Sequence, residues 1–231
     1  MKRTCVTSLT ITILSLSLCG VANTEPPSVA QVVQKVKAVY SQDCCFKATF
    51  NQVTVNVAMD LKDRFDGTIY VKKPGLIAMD VKSPERQKVV LRGRSYVIYF
   101  PEDRSAARGE VPPEIDVEHF FGFFANIGDM ERNFSIQFPN RKMDEDEKLI
   151  FLELANKKTP RSTFRIMLGV DLNRYTIRRA IIYDALGNYN RFDLSDITFL
   201  SSVPDKVFEA VPPGSEKADL SLIPSIKNSG R

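Results

Sequence analysis

From residue 46 onward the chain alternates apolar and polar side chains with a period of two, and tight turns cut the alternation into short runs. Side chains of an extended chain point to opposite faces in turn, so this rhythm commits most of the length to strands. Strands are expected at Phe46–Val57, Gly67–Val71, Leu76–Val81, Lys88–Leu91, Tyr96–Phe100, Phe134–Phe138, Lys148–Ala155, Thr163–Leu168, Tyr175–Tyr183, Tyr189–Leu200 and Val207–Ala210. Between them stand Lys73-Pro74-Gly75, Ser83-Pro84, Arg92-Gly93-Arg94, Asn173 and Ala185-Leu186-Gly187-Asn188, which are turn-forming residue types. Short strands at about ten-residue spacing build a meandering antiparallel sheet curled into a barrel or half-barrel. Tyr96-Val97-Ile98-Tyr99-Phe100 and Leu149-Ile150-Phe151-Leu152 are apolar on both faces, which requires cover on both sides of the sheet.

Two segments break the rhythm. Val29, Val32, Val33, Val36, Val39 and Tyr40 recur at helical spacing behind Ser28, and Ser28 with Gln31 makes a capping box. The second helix is expected over Asp116–Ile127, with Asp116 as its N-cap and Val117, Phe120, Phe121, Phe124 and Ile127 on one stripe, Phe123 close to its edge. An aromatic-faced helix among strands is expected to pack on the concave side of the sheet. The fold class is therefore mainly β with helices (α+β).

Residues 1–22 read as a secretory signal peptide: Lys2-Arg3, an apolar run to Leu18, then Gly20-Val21-Ala22 with small residues at the cut site. With the cut after Ala22, a single domain is expected over residues 23–214 and a polar, loop-like tail over 215–231. The apolar run falls short of the roughly 18 residues of a spanning helix, and no later segment reaches that length. Cleavage would remove Cys5 and Cys19, and Leu18 is a poor neighbour for lipid attachment at Cys19. Cys44 and Cys45 then remain as free thiols, a vicinal pair or an intermolecular link. No disulfide framework staples such a domain, so apolar burial must hold it together.

The formal net charge is only +4, and Lys2 and Arg3 supply two of those charges. That balance gives no electrostatic case for nucleic acid. The one histidine, His119, sits in the first turn of the aromatic helix, where a solvated helix-end role is expected. No Gly-x-Ser-x-Gly elbow, dinucleotide glycine pattern or metal-ligand spacing occurs. The run Asp144-Glu145-Asp146-Glu147 lacks the glycine and spacing of a calcium loop and reads as a solvated hairpin turn. No catalytic residue, metal or cofactor is expected. Fifteen phenylalanines and no tryptophan supply large apolar area without a polar group to satisfy. Such a composition builds either a filled barrel or a concave sheet and helix around a cavity for an apolar ligand.

At this point the chain resembles the outer-membrane lipoprotein carrier family, the LolA-type periplasmic chaperones, from about Val29 to Gly214. Phe46-Lys47-Ala48-Thr49-Phe50-Asn51-Gln52 looks like the family's first-strand Phe-x-x-x-Phe-x-Gln. Gly67 through Lys72-Lys73-Pro74-Gly75 looks like its glycine-to-basic-Pro strand and turn. Asp80, Ser83-Pro84-Glu85, Gly93 and Tyr99-Phe100-Pro101 follow in order. Tyr183-Asp184-Ala185-Leu186-Gly187-Asn188 is similar to its Asp-x-x-Gly-Asn hairpin, and Val207-Phe208 through Pro212-Pro213-Gly214 to its closing Phe-x-x-x-Pro-Pro-x-Gly.

The resemblance implies an incomplete antiparallel β-barrel closed by an α-helical lid, with a hydrophobic cavity inside. It implies a monomeric periplasmic chaperone that takes lipoproteins by their acyl chains from an inner-membrane ABC release complex and passes them to an outer-membrane acceptor. In the family register Ile69, Val71 and Lys73 face inward on one strand, and Ile77, Met79 and Val81 on the next. Val89 and Leu91 continue the lining, and Phe120, Phe121 and Phe124 lie on the helix that plugs it. Phe46 and Phe50 are lining or wall, since period two does not distinguish the faces. Lys73 stands where many relatives carry an arginine that holds a helix lid, and a lysine lacks the planar fork of that latch. A lipid-sensing regulatory domain and an outer-membrane-anchored lipid-binding lipoprotein are alternatives on the same scaffold.

Overall fold

The structure, a computed structural model, describes residues 25–110, 130–140, 148–157, 165–209, 211–212 and 215–217. It opens with helix α1, Val29–Ser41. The capping box is present as expected: the Ser28 hydroxyl accepts from Gln31 N, and Gln31 Oε1 accepts from Ser28 N at 2.8 Å. Val32, Val33, Val36 and Tyr40 form its buried stripe.

Six strands then run in a meander: β1 (Cys45–Asn56), β2 (Leu61–Lys72), β3 (Leu76–Ser83), β4 (Gln87–Arg92), β5 (Ser95–Phe100) and β6 (Ser105–Glu110). After the short helix α2 (Met130–Asn133), a second meander follows: β7 (Phe134–Gln137), β8 (Leu149–Asn156), β9 (Arg165–Asp171), β10 (Thr176–Tyr183) and β11 (Tyr189–Leu200). The twelve-residue strands β1 and β11 pair antiparallel and zip the meanders into one sheet. The order is β12-β6-β5-β4-β3-β2-β1-β11-β10-β9-β8-β7, with β12 being Glu216–Lys217. This open, mainly antiparallel sheet with few helices is the expected class.

Three expectations shift. Val207–Ala210 was expected as a strand, yet Asp205–Phe208 forms a 3-10 turn instead. The reason is topological: β1, the neighbour of β11, is already paired on its other side with β2, so the chain leaving β11 meets no free edge there. Phe208 is buried instead among Cys45, Ala78, Val90 and Val203 on the convex face. The tail was expected to be loop-like, but Glu216–Lys217 reaches the edge of β6 and pairs parallel with Ser105–Ala106. Strand β6 itself, Ser-Ala-Ala-Arg-Gly-Glu, has no apolar alternation to announce it and takes its extended form from β5. The expected helix at 116–127 and the acidic run at 144–147 lie outside the described residues, as do residues 1–24.

Strand β8 has the two-sided cover that its composition requires. Leu152 and Leu154 face the main core, while Phe151 packs with Met167 and Ile181 on the other side. Strand β5 is less completely covered, with Tyr96 through Tyr99 only half-buried.

Candidate functional site

The concave face of the sheet is a continuous apolar surface, and the register shows how it is assembled. Ala107, Ile98, Val89, Met79, Ile69 and Ala48 are successive cross-strand partners from β6 to β1. One row over run Tyr96, Leu91, Ile77, Val71, Phe46 and Phe199, from β5 through β1 to β11. A third row carries Val81, Gly67, Phe50 and Leu194. Cross-strand neighbours on one face sit about 5 Å apart, so each row is a strip of touching side chains.

Ile69, Val71, Ile77, Met79, Val81 and Leu91 are buried in one cluster, and Val89 is half-buried against it. Phe120, Phe121 and Phe124 lie outside the described residues. Phe46 and Phe50, whose face the alternation left open, both point inward and are fully buried. Gln52 stands on the same face near the far end of β1, where its Nε2 donates to Asn190 Oδ1 at 3.1 Å.

Helix α1 packs on this face through its valines, and Tyr40 anchors its C-terminal end. The Tyr40 ring meets Phe46 and Phe199 edge-on, at centroid distances of 5.6 and 5.1 Å. Its hydroxyl accepts a hydrogen bond from Ile177 N on β10 at 3.1 Å. Burial pushes the phenol pKa well above its ordinary value, despite the opposing influence of that hydrogen bond and of Arg178. Tyr40 therefore remains a neutral hydroxyl, polar at one tip and apolar elsewhere.

Lys73 grips the same helix end. Its Nζ donates to the Tyr40 carbonyl, one of the last-turn oxygens that no intrahelical donor reaches. Its backbone N–H donates to Cys44 O at 2.9 Å, which holds the β2–β3 turn against the start of β1. Partial burial lowers the ammonium pKa, while nearby Asp43 acts in the opposite direction. A cation at a helix C-terminus also meets the negative end of the macrodipole. Lys73→Ala is expected to lower the unfolding free energy by about 1 kcal/mol, measured by urea denaturation. An unchanged transition would show that the contact carries no net stability.

Three further features were not read from the sequence as they stand. Cys44 and Cys45 form a vicinal disulfide between α1 and β1, one of the three states their adjacency leaves open. Asp193 bridges Arg179 and Arg191 on the convex face, at 2.5 and 3.0 Å. A groove of about 620 Å³ lies between Lys72–Leu76, Arg92–Gly93 and Asp205–Glu209. Lys72 spans it to Asp205 at 2.8 Å and, by that hydrogen bond first, holds the Asp205 carboxyl below the usual range. The Arg179–Asp193 pair and the groove with its Lys72–Asp205 bridge join segments distant in the sequence, and no local signal marks them. Among the described residues no cluster of His, Cys, Asp or Glu is placed to hold a metal, and no helix is long and apolar enough to cross a membrane.

Residues 42–211 match the family model described as outer membrane lipoprotein carrier protein LolA. An outer-membrane lipoprotein carrier protein of Pseudomonas putida (strain W619) is 21% identical over 212 residues, which cover 91% of this chain and 94% of that protein. Among solved structures, a LolA superfamily protein from Nitrosomonas europaea aligns with a TM-score of 0.42 and 15% identity, covering 79% of this chain and 98% of that one. An uncharacterized conserved protein from Thermus thermophilus aligns with a TM-score of 0.48 and 8% identity, covering 82% and 97%.

Proposed function

Because this chain belongs to the LolA family of outer membrane lipoprotein carrier proteins, we propose that it is a periplasmic chaperone that shelters lipoprotein acyl chains against its concave face. The observation that carries this reading is the apolar surface running unbroken from β6 to β1 and on to β11, with α1 laid over it. A surface of that kind answers a specific physical need. A triacylated anchor holds on the order of 45 methylene-sized groups, and at about 0.8 kcal/mol each its exposure to water opposes transfer by roughly 36 kcal/mol. Such an anchor crosses an aqueous compartment only when something apolar covers it.

In this reading Ile69, Val71, Ile77, Met79, Val81, Val89 and Leu91 line the site, together with Phe120, Phe121 and Phe124 from the segment expected as an aromatic helix. Cargo arrives from an inner-membrane ABC release complex and leaves for an outer-membrane acceptor. Burial of apolar groups is non-directional, so it suits a carrier that must accept many lipoproteins and let each go. The chemistry is binding and release, with no bond made or broken.

Site-specific photo-crosslinking in living cells tests this. A photoreactive side chain at Val89, half-buried on the concave face, is expected to capture acylated lipoproteins. The same group at Thr68, half-buried on the opposite face of the neighbouring sheet region, is expected to capture none. Capture of no lipid-bearing protein from Val89, or equal capture from both positions, overturns the proposal.

A further inference from the structure

Four of the five large apolar side chains exposed among the described residues sit on two hairpin tips. Val57, Met59 and Leu61 belong to the β1–β2 tip, and Leu186 to the β10–β11 tip, where it is 76% exposed. Strands β2, β1, β11 and β10 are consecutive in the sheet, so the tips lie side by side, and Val57 N donates to Asn188 Oδ1 at 2.8 Å.

Neither tip is slack. Asn56 Oδ1 accepts from Met59 N at 3.1 Å. Asp184 Oδ1 accepts from the backbone of Leu186 and of Asn188, both at 2.9 Å, while its Oδ2 accepts from Asn188 Nδ2. Gly187 takes the positive φ that closes this turn. The polar side chains are thus engaged on the backbone, and the apolar ones are held outward. The β1–β2 hairpin also overhangs: the last β2–β3 pair is Asp66–Ser83, so Leu61–Phe65 runs about 16 Å past it.

Behind the apolar tips the side chains are stratified. The next row holds Tyr189 and Tyr183, rings 5.7 Å apart, with Lys62 across Val55 and Arg165 over the Tyr183 ring. One row further in, Arg64 and Arg191 flank Val53. Apolar groups outermost, then tyrosines with cations beside and behind them, follow the order in which a bilayer surface presents acyl chains and then the interface with its phosphates. A protruding convex tip of this composition matches that layered medium rather than a flat protein surface.

We propose that the two hairpin tips dock this protein on a lipid bilayer surface, with Val57, Met59, Leu61 and Leu186 entering the acyl boundary and Tyr183 and Tyr189 resting at headgroup level. Asp60 lies in the turn itself, between Met59 and Leu61, and Asp63 stands between Lys62 and Arg64, so docking is shallow and rests on apolar contact more than on attraction to anionic lipid. The tips do this whether or not the concave face carries lipoproteins.

The chain contains no tryptophan, so Leu186→Trp gives a single fluorescent reporter. With the purified protein and vesicles of phosphatidylethanolamine and phosphatidylglycerol, its emission is expected to shift to the blue and to be quenched by brominated acyl chains. Asn173→Trp, on the turn at the opposite end of the sheet, is expected to show neither change. Met59→Asp combined with Leu186→Asp should weaken vesicle binding roughly tenfold or more without moving the unfolding midpoint, and salt should have little effect. No response at Leu186→Trp, equal responses at both reporters, or undiminished binding by the double variant overturns the proposal.

Discussion

Gly67→Ala is expected to lose more than about 3 kcal/mol of folding free energy, the largest loss from adding one methyl group at any glycine compared below. Gly67 lies on the concave face of β2, opposite Phe50 and Val81, at a shift in the β2–β3 register. A Cβ there would fall on the Asp80 carbonyl oxygen and within 3.0 Å of Phe50 Cε1. The first obstacle is backbone, so relief requires moving β3 away from β2 and breaking the ladder beside it. The second is the edge of a fully buried ring.

Two other glycines calibrate this result. At Gly109 the added carbon meets the Tyr96 hydroxyl at 2.7 Å, but Tyr96 is half-buried and can swing outward, so Gly109→Ala should lose less than about 1 kcal/mol. At Gly169 the contacts are Leu149, Arg179 and Phe151 side-chain carbons at 3.0 to 3.1 Å, and an intermediate loss is expected. Guanidinium denaturation of the three variants measures the series. Equal midpoints, or Gly67→Ala falling within error of Gly109→Ala, would show that β2 and β3 do not approach as described.

Tyr40→Ala is the second large effect, expected at about 4 kcal/mol. It removes a fully packed ring from between Phe46 and Phe199, and it orphans the Ile177 N–H that the hydroxyl now satisfies. Tyr40→Phe separates these contributions, because it keeps the ring and deletes only the acceptor. A loss of about 1–3 kcal/mol is expected for that variant. The consequence for the concave face is more informative than the stability. With the ring gone, α1 keeps its valines, its Lys35 and Lys37 contacts and the Lys73 bond to the residue-40 carbonyl, but loses the packing that seats its C-terminal end, and the apolar rows beneath should become accessible. Binding of an environment-sensitive dye to Tyr40→Ala under native conditions, absent from the parent, would report that opening. Dye binding unchanged from the parent, with stability lost, would show that α1 stays seated without Tyr40.

Much of this architecture was legible because β-sheet side chains obey a local rule. The family resemblance implies that Ile69, Val71, Ile77, Met79, Val89 and Leu91 share one face, and the register pairs them across β2, β3 and β4. The helix start at Ser28 was equally local, since a capping box involves residues three apart. By contrast, Asp205–Phe208 has an apolar pair suited to a strand and became a turn because no free edge lies beside the end of β11. Strand β6 shows the reverse case, where a neighbour imposed an extended form on a sequence that does not ask for it.

The amino-acid sequence alone determined the alternation of faces, the turns, the cap of α1 and the family motifs, because each depends on residues close together in the chain. Only the tertiary structure decided that β1 closes on β11, that Phe46 and Phe50 turn inward, that Tyr40 reaches Ile177 across 137 residues, and that two distant hairpins present one apolar tip. Those contacts join segments that nothing local brings together. Their partners are selected by the burial of whole faces and by which backbone edges remain unpaired.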